Sequence, residues 1–307
     1  GLGSIGQRHL ENIKKNKNIR YIKIGTVTTG KGNKNIPINL KKNLLIFNSY
    51  NEALKWKPTH LIISNPTSLH KKILTKFANN KIKIFIEKPI FDKFYDLKKI
   101  NINYKNIFVG YNLRFSLFFN FIKEVISKKT FGKALVSRFE VGNYLPNWHT
   151  YENYIKSYAS NKKLGGGAYL TLSHEIDLAQ FLFGKIDKRF ILKEKVSNLK
   201  IDVDDTATIL LKSKLCKVIN IECNFLFSYL IRRGWIQFSK GLLEYDYFKK
   251  RIYFTNPIDR KKIIIYKKKE NYNDQFKKEV NDFIFGKTNN FCKLEDALTI
   301  LKINKIN

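Results

Sequence analysis

Gly1-Leu2-Gly3-Ser4-Ile5-Gly6, followed at once by Gln7-Arg8-His9-Leu10-Glu11-Asn12-Ile13, is the stretch on which the fold turns. It has the spacing G-x-G-x-x-G and runs straight into a helix-like sequence. In a βαβ unit that binds a dinucleotide, the first glycine makes the strand-to-helix turn and the second lets backbone approach a pyrophosphate. The third lets helix pack on strand, and the helix N-terminus attracts phosphate charge. Gly1, Gly3, Ser4, Ile5 and Gly6 are therefore candidate cofactor contacts. On spacing alone the run serves equally well as an ordinary glycine turn, because no apolar strand precedes it. The sequence holds no methionine, even at residue 1. The expectation is a fragment whose first strand lies upstream of Gly1.

The elements that follow favour the βαβ reading. Residues 21–28 read as a strand of mixed alternation, Leu44–Phe47 as a short one, and Tyr50–Lys57 as a helix. His60–Ser64 reads as a buried strand, Leu69–Asn79 as a helix, Ile82–Ile86 and Ile107–Tyr111 as further strands. Strands alternating with helices at this spacing predict a parallel sheet covered on both faces. Beyond residue 112 the texture changes. A helix over Leu117–Ser127, a strand near Ala134–Val141 and a glycine-opened helix at 168–183 lead into alternating strands from Thr206 to Phe254. Helices return at 273–285 and 294–304. The expectation is an α/β protein of two domains: residues 1–112 with a doubly wound parallel sheet, and 113–307 with a large, mostly antiparallel one.

The length of 307 residues gives each domain a core of its own, and 43% hydrophobic content with 24 Phe and 16 Tyr excludes a disordered chain. No apolar run approaches the roughly 18–20 residues of a membrane span. Three cysteines fit neither a disulfide framework nor metal-ligand spacing, so no metal is expected and a reducing cytoplasm is the simplest setting. The formal net charge of +33 invites a nucleic-acid reading. The lysines are spread along the whole chain rather than gathered on one element, which argues for a solvated basic surface instead.

Two motifs carry chemistry. Glu87-Lys88-Pro89 directly follows the strand 82–86, and in an open α/β sheet ligands sit beyond the carboxyl ends of the strands. Pro89 pushes Lys88 toward extended geometry. A lysine held there is placed to donate a hydrogen bond to a reacting oxygen; a plain strand-end lysine is the alternative. The second motif is Gly165-Gly166-Gly167-Ala168-Tyr169-Leu170-Thr171-Leu172-Ser173-His174-Glu175-Ile176-Asp177. His174 and Asp177 are three apart and share a helical face, and histidine suits proton exchange near neutrality. A helical histidine can equally be structural.

With the glycine run, Asn65-Pro66-Thr67-Ser68-Leu69-His70, Glu87-Lys88-Pro89 and the GGG…SHEID stretch in this order, the chain resembles the glucose–fructose oxidoreductase/inositol dehydrogenase/MocA family. The resemblance spans about residues 1–184 and continues more loosely through Asp204-Asp205-Thr206-Ala207. It implies an NAD(P)-dependent oxidoreductase with a Rossmann domain, its first strand missing here, followed by an α/β domain built on a large sheet. Lys88 then matches the family's catalytic lysine, His174 its acid/base and Asp177 a residue that orients the histidine or contacts substrate. Asn65, Pro66, Thr67, His70, Glu87 and Lys88 are implied cofactor neighbours. Many members carry an acid where this chain has Thr171, so proton transfer rests more heavily on His174 and Lys88.

Cofactor choice follows from what is absent. NAD-preferring folds place an acid about 20 residues past the glycine loop, and no Asp or Glu occurs between Glu11 and Glu52. Thr28 and Lys31 suit a 2′-phosphate, so NADP is preferred over NAD. Asn112 and Arg114 sit where the family's chain crosses between domains; Arg114 is read as a phosphate or carboxylate ligand or as a structural ion pair. Trp148 and Tyr151, in an aromatic stretch, offer flat faces with polar tips to a sugar, as Thr171 offers a hydroxyl; core cover is the alternative for those rings. The expected substrate is a sugar or sugar nucleotide, with a link to surface-polysaccharide pathways, and the expected assembly is a homodimer or homotetramer. A dehydrogenase-fold protein that binds NADP(H) as a sensor without turnover is the competing reading.

Overall fold

Short apolar runs separated by lysine-rich helices set the architecture of the first part of the chain. The computed structural model describes residues 1–19, 22–28, 36–78, 81–97, 104–148 and 152–302. Helix α1 (Ser4–Lys14) follows the glycine loop, and then come β1 (Ile24–Val27), α2 (Ile38–Lys41), β2 (Leu44–Phe47), α3 (Tyr50–Lys55), β3 (His60–Ile63), α4 (His70–Phe77), β4 (Lys83–Glu87) and β5 (Ile107–Gly110). β1 pairs with β2, β3 with β4 and β4 with β5, all parallel, as the alternation predicts. The sheet is in two pieces, however. The strands β1 and β3 both line a cavity of about 780 Å³ together with Gly1, Leu2, Gly6, Leu10, Phe47 and Phe77.

Two units make up the chain: Gly1–Phe115 with Tyr272–Ala297, and Ser116–Asn271 with Leu298–Asn307. The expected boundary at 112 falls beside the crossing at Phe115. The expected continuous second domain, 113–307, is not found, because residues 272–297 return to the first unit. The cause is an apolar stripe on α9 (Asp274–Ile284), whose Phe276, Val280 and Phe283 recur at helical spacing and are buried. Phe283 and Phe291 join Phe85, Phe108 and Phe115 in one core cluster. The helix also lies against α1: Asn12 and Asn273 exchange amide hydrogen bonds at 3.3 and 2.9 Å, and Arg8 sits 4.7 Å from the Phe276 ring centroid. After α9, β14 (Cys292–Lys293) adds antiparallel to β5 and runs into α10 (Leu294–Leu301).

The second unit is built around one eight-stranded sheet. Its elements are α5 (Leu117–Ser127), β6 (Ala134–Gly142), α6 (Leu145–Trp148), α7 (Ala168–Thr171), α8 (His174–Phe183), β7 (Ile186–Glu194), β8 (Thr206–Ser213), β9 (Val218–Asn224), β10 (Ile231–Phe238), β11 (Gly241–Asp246), β12 (Arg251–Thr255) and β13 (Lys262–Tyr266). Strand order is β13-β12-β11-β10-β6-β9-β8-β7, antiparallel except for the β6–β9 pair. The edge strands β7 and β13 were not anticipated. Both are largely exposed, and neither shows the alternation that marks a strand: β7 mixes charged and apolar residues and β13 is a run of three isoleucines.

Register sorts the sheet's two faces. Ala207, Ile209 and Leu211 of β8, Ile219, Ile221 and Cys223 of β9, Phe139 and Val141 of β6 and Tyr245 of β11 are buried. Phe119 of α5 is also buried and stacks on Tyr247 at 5.2 Å. The other face carries the rows Leu192-Thr208-Glu222-Glu140-Arg233 and Phe190-Leu210-Asn220-Arg138-Trp235. Arg138 and Arg233 bind Glu222 and Glu140 there at 3.1 and 2.9 Å, beside the exposed Phe190, Leu192 and Leu210.

Candidate active site

In the first unit the glycine loop is seated on the carboxyl end of β3. Ser64 Oγ donates to the Gly1 carbonyl at 2.7 Å, and the Gly1 amine donates to Asn65 Oδ1 at 3.0 Å. The three glycines have different tasks. A Cβ on Gly6 would collide with the Gly1 carbonyl and come within 2.8 Å of Ser64 Oγ, whereas a Cβ on Gly3 would meet nothing within 4 Å. Gly3 is the N-cap of α1, no side chain caps that end, and its first turn holds no acid. The first N–H groups of α1 are thus left without a side-chain cap, at the positive end of the helix dipole and with no acid in the first turn. That arrangement fits a dinucleotide pyrophosphate held by Gly3, Ser4 and Ile5.

Lys88 follows β4 on the same carboxyl edge and is half-buried. Glu87 Oε2 accepts from the Lys88 N–H at 3.2 Å, and Glu87 Oε1 meets His9 Nε2 at 2.5 Å. His70 is 1% exposed, with Nε2 at 2.8 Å from the Asn65 carbonyl and Nδ1 at 3.1 Å from the Ile90 carbonyl. Burial pushes its pKa below the usual histidine value, against the pull of those two carbonyls. Expected as a cofactor neighbour, His70 is bracketed by two backbone carbonyls, one in the loop after β3 and one beyond Pro89, and its neutral ring donates to one of them. Thr67 is buried beside it. Thr28, just past β1, is buried, and its hydroxyl has no hydrogen-bond partner among the described residues. Lys31 and Tyr151 lie outside the described residues.

Asn112 and Arg114 are both buried, and Arg114 Nη1 donates to the Phe291 carbonyl at 3.2 Å. This hydrogen bond, to a neutral carbonyl within the same unit, ties the turn after β5 to the returning segment.

In the second unit the helix expected over 168–183 breaks at Leu172, whose φ of −98° and ψ of 21° leave the helical basin. His174 therefore opens α8 instead of lying mid-helix, and it keeps solvent access while Thr171 and Asp177 are buried. Upstream, Gly167 takes φ +105°, and a side chain there would crowd Asp204 Oδ1 at 2.6 Å. The same carboxyl group accepts from the Tyr169 N–H at 2.9 Å, and the Asp204 carbonyl accepts from the Ala168 N–H at 2.9 Å. Gly167 and Asp204 together thus shape the start of α7, upstream of His174. Trp148 ends α6 with its ring 5.7 Å from that of the buried Phe225, a core contact.

The sequence matches the family model described as the oxidoreductase family NAD-binding Rossmann fold over residues 1–103, and the GFO/IDH/MocA C-terminal domain over 119–244. The chain belongs to the GFO/IDH/MocA oxidoreductase family. It is 25% identical over 308 residues to the myo-inositol 2-dehydrogenase of Thermotoga maritima, covering 92% of this chain and 85% of that protein. In fold it is similar to a levoglucosan dehydrogenase in complex with NADH, with a TM-score of 0.80 at 17% identity over 98% of this chain and 92% of that one. An NAD-binding oxidoreductase from Klebsiella pneumoniae gives 0.79 at 15% identity over the same shares. The protein is thus an oxidoreductase of a family that acts on CH–OH groups, with an NAD-binding Rossmann domain. No helix among the described residues is long and apolar enough to cross a membrane.

Sequence reasoning missed the acids and bases that support the motif residues. Glu175, next to His174, is fully buried and meets Arg232 Nε of β10 at 2.6 Å. Only the apolar face of this GFO/IDH/MocA helix was legible; a partner 57 residues away leaves no local mark. Removing one member of such a pair leaves a buried charge, at a cost of about 3–5 kcal/mol. Glu175→Ala is expected to lower the unfolding free energy extrapolated from urea titration by that amount. A double change to Leu at 175 and Met at 232 is expected to recover most of it.

Proposed function

We propose that this chain transfers a hydride between the nicotinamide of NADP and a carbinol or carbonyl carbon of a sugar or sugar nucleotide, with NAD as the weaker cofactor. The open Cβ direction of Gly3 at an uncapped, acid-free helix end carries the cofactor half of this reading. The bound nicotinamide supplies the hydride-accepting carbon. Lys88, its backbone N–H held by Glu87, is assigned to hydrogen-bond donation toward a substrate oxygen, and His174 is assigned to proton exchange. Asp177, buried one turn on, orients the histidine. Asn112 and Thr171 are assigned to the sugar's surroundings. The relatives' names, an inositol and a levoglucosan dehydrogenase, support a polyhydroxylated ring as substrate, and sugar supply to surface polysaccharides is the pathway we assign.

NADP over NAD rests on Thr28, whose buried hydroxyl is free among the described residues, and on the absence of an acid between Glu11 and Glu52. Quenching of protein fluorescence is expected to give an NADPH affinity about tenfold above that for NADH, a difference near 1.4 kcal/mol. Equal affinities, or tighter NADH, would refute the preference. No saturable binding of either would refute the cofactor reading.

A second copy of the chain covers the open sheet face in this reading, since Phe190, Leu192 and Leu210 form an apolar strip bordered by ion pairs. Light scattering on the eluting protein checks it: Leu192→Glu shifts a dimer or tetramer toward monomer. Three buried free cysteines suit a reducing cytoplasm.

A further inference from the structure

We infer that His9 and Glu87 form a positioning pair that couples the phosphate-binding helix α1 to the turn bearing Lys88. The inference rests on the reading of Lys88 given above. Both side chains are buried, at 1% and 8% exposure, and they meet at 2.5 Å across 78 residues of sequence. A carboxylate has only acceptors, so the Nε2–H of the imidazole donates. The second carboxylate oxygen receives the Lys88 N–H at 3.2 Å. Pro89 has no N–H, so the Lys88 amide is the first backbone donor of this turn, and Glu87 takes it. The Phe85 ring stands edge-on to His9 at 5.2 Å and Phe276 at 6.3 Å, which fixes the imidazole plane.

Stability does not account for the pair. Taking a carboxylate out of water is costly, and apolar replacements of similar volume are often as stable. Direction does account for it. His9 belongs to the helix whose first turn fits the pyrophosphate, and Glu87 holds the peptide of Lys88. Any movement of α1 on cofactor binding is passed to the lysine through these two hydrogen bonds.

The test compares His9→Leu with His9→Gln, because the glutamine Nε2 can reproduce the donor. In His9→Leu, kcat falls about tenfold or more while the NADPH dissociation constant stays within about threefold; His9→Gln keeps both near wild type. A second readout needs no turnover: the rate at which trinitrobenzenesulfonate labels Lys88 in the NADPH-loaded protein, followed by peptide mass spectrometry. That rate changes several-fold in His9→Leu and not in His9→Gln. Unchanged kcat and labelling in a folded His9→Leu protein, with only a lower melting temperature, would overturn the inference. Equal impairment in both variants would overturn it too. If the wild type binds NADPH yet turns over no substrate, the functional reading falls and the labelling arm alone decides the coupling.

Discussion

Lys88→Met is expected to lower turnover by about 10²–10⁴-fold while NADPH binds as in the wild type, the range lost when a positioned proton-transfer group is removed. Methionine keeps the length and apolar stem of the side chain, and Glu87 still receives the backbone N–H, so the turn keeps its shape. The loss then falls on kcat and kcat/KM together, which marks an interaction made only in the transition state. His174→Asn removes the other group assigned to proton transfer. If one proton passes through both, the double variant is no worse than the poorer single one, because residues that act as a unit are not additive. A Lys88→Met protein with normal turnover would remove the lysine from the chemistry.

Gly3→Ala and Gly6→Ala are expected to differ sharply although both alter the same six-residue loop. At Gly3 the added methyl enters open space, so the melting temperature stays near wild type. The same space is where a pyrophosphate meets α1, and NADPH affinity is expected to fall by about 10²-fold or more, near 2.7 kcal/mol. At Gly6 the methyl strikes the Gly1 carbonyl and crowds Ser64 Oγ. The loop must then leave β3, and both stability and binding decline. Thermal melts and fluorescence titrations on the two proteins separate the outcomes. Normal NADPH binding by Gly3→Ala would show that the loop is only a turn.

What could be read from the sequence is what local pattern controls. Leu44–Phe47 and His60–Ile63 became strands through short apolar runs, although Leu45 and Ile46 stay exposed, and Leu117–Ser127 became a helix because its apolar stripe repeats at helical spacing. The glycine spacing gave the loop, and the order of motifs gave the family. Long-range pairings were hidden. Nothing near residue 272 announces that Phe276 and Phe283 pack in the first unit, and nothing near His9 names Glu87 as its partner. The same holds for Glu175 and Arg232. The break at Leu172 was hidden for another reason: Thr171–Ser173 carries no proline or glycine to mark it. His70 was legible as a motif residue but its task was not, since both its partners are carbonyl groups, which every residue has.

The claim that underlies the whole account is hydride exchange between nicotinamide and a polyol carbon, and isotope transfer tests it most directly. The protein is incubated with NADP and a panel of inositols, anhydrosugars and sugar nucleotides carrying deuterium on their carbinol carbons. Mass spectrometry of the recovered cofactor is expected to find one deuterium on the nicotinamide ring with at least one substrate, and none when Lys88→Met replaces the wild type. Saturable NADPH binding with no label transferred from any member of the panel would contradict it.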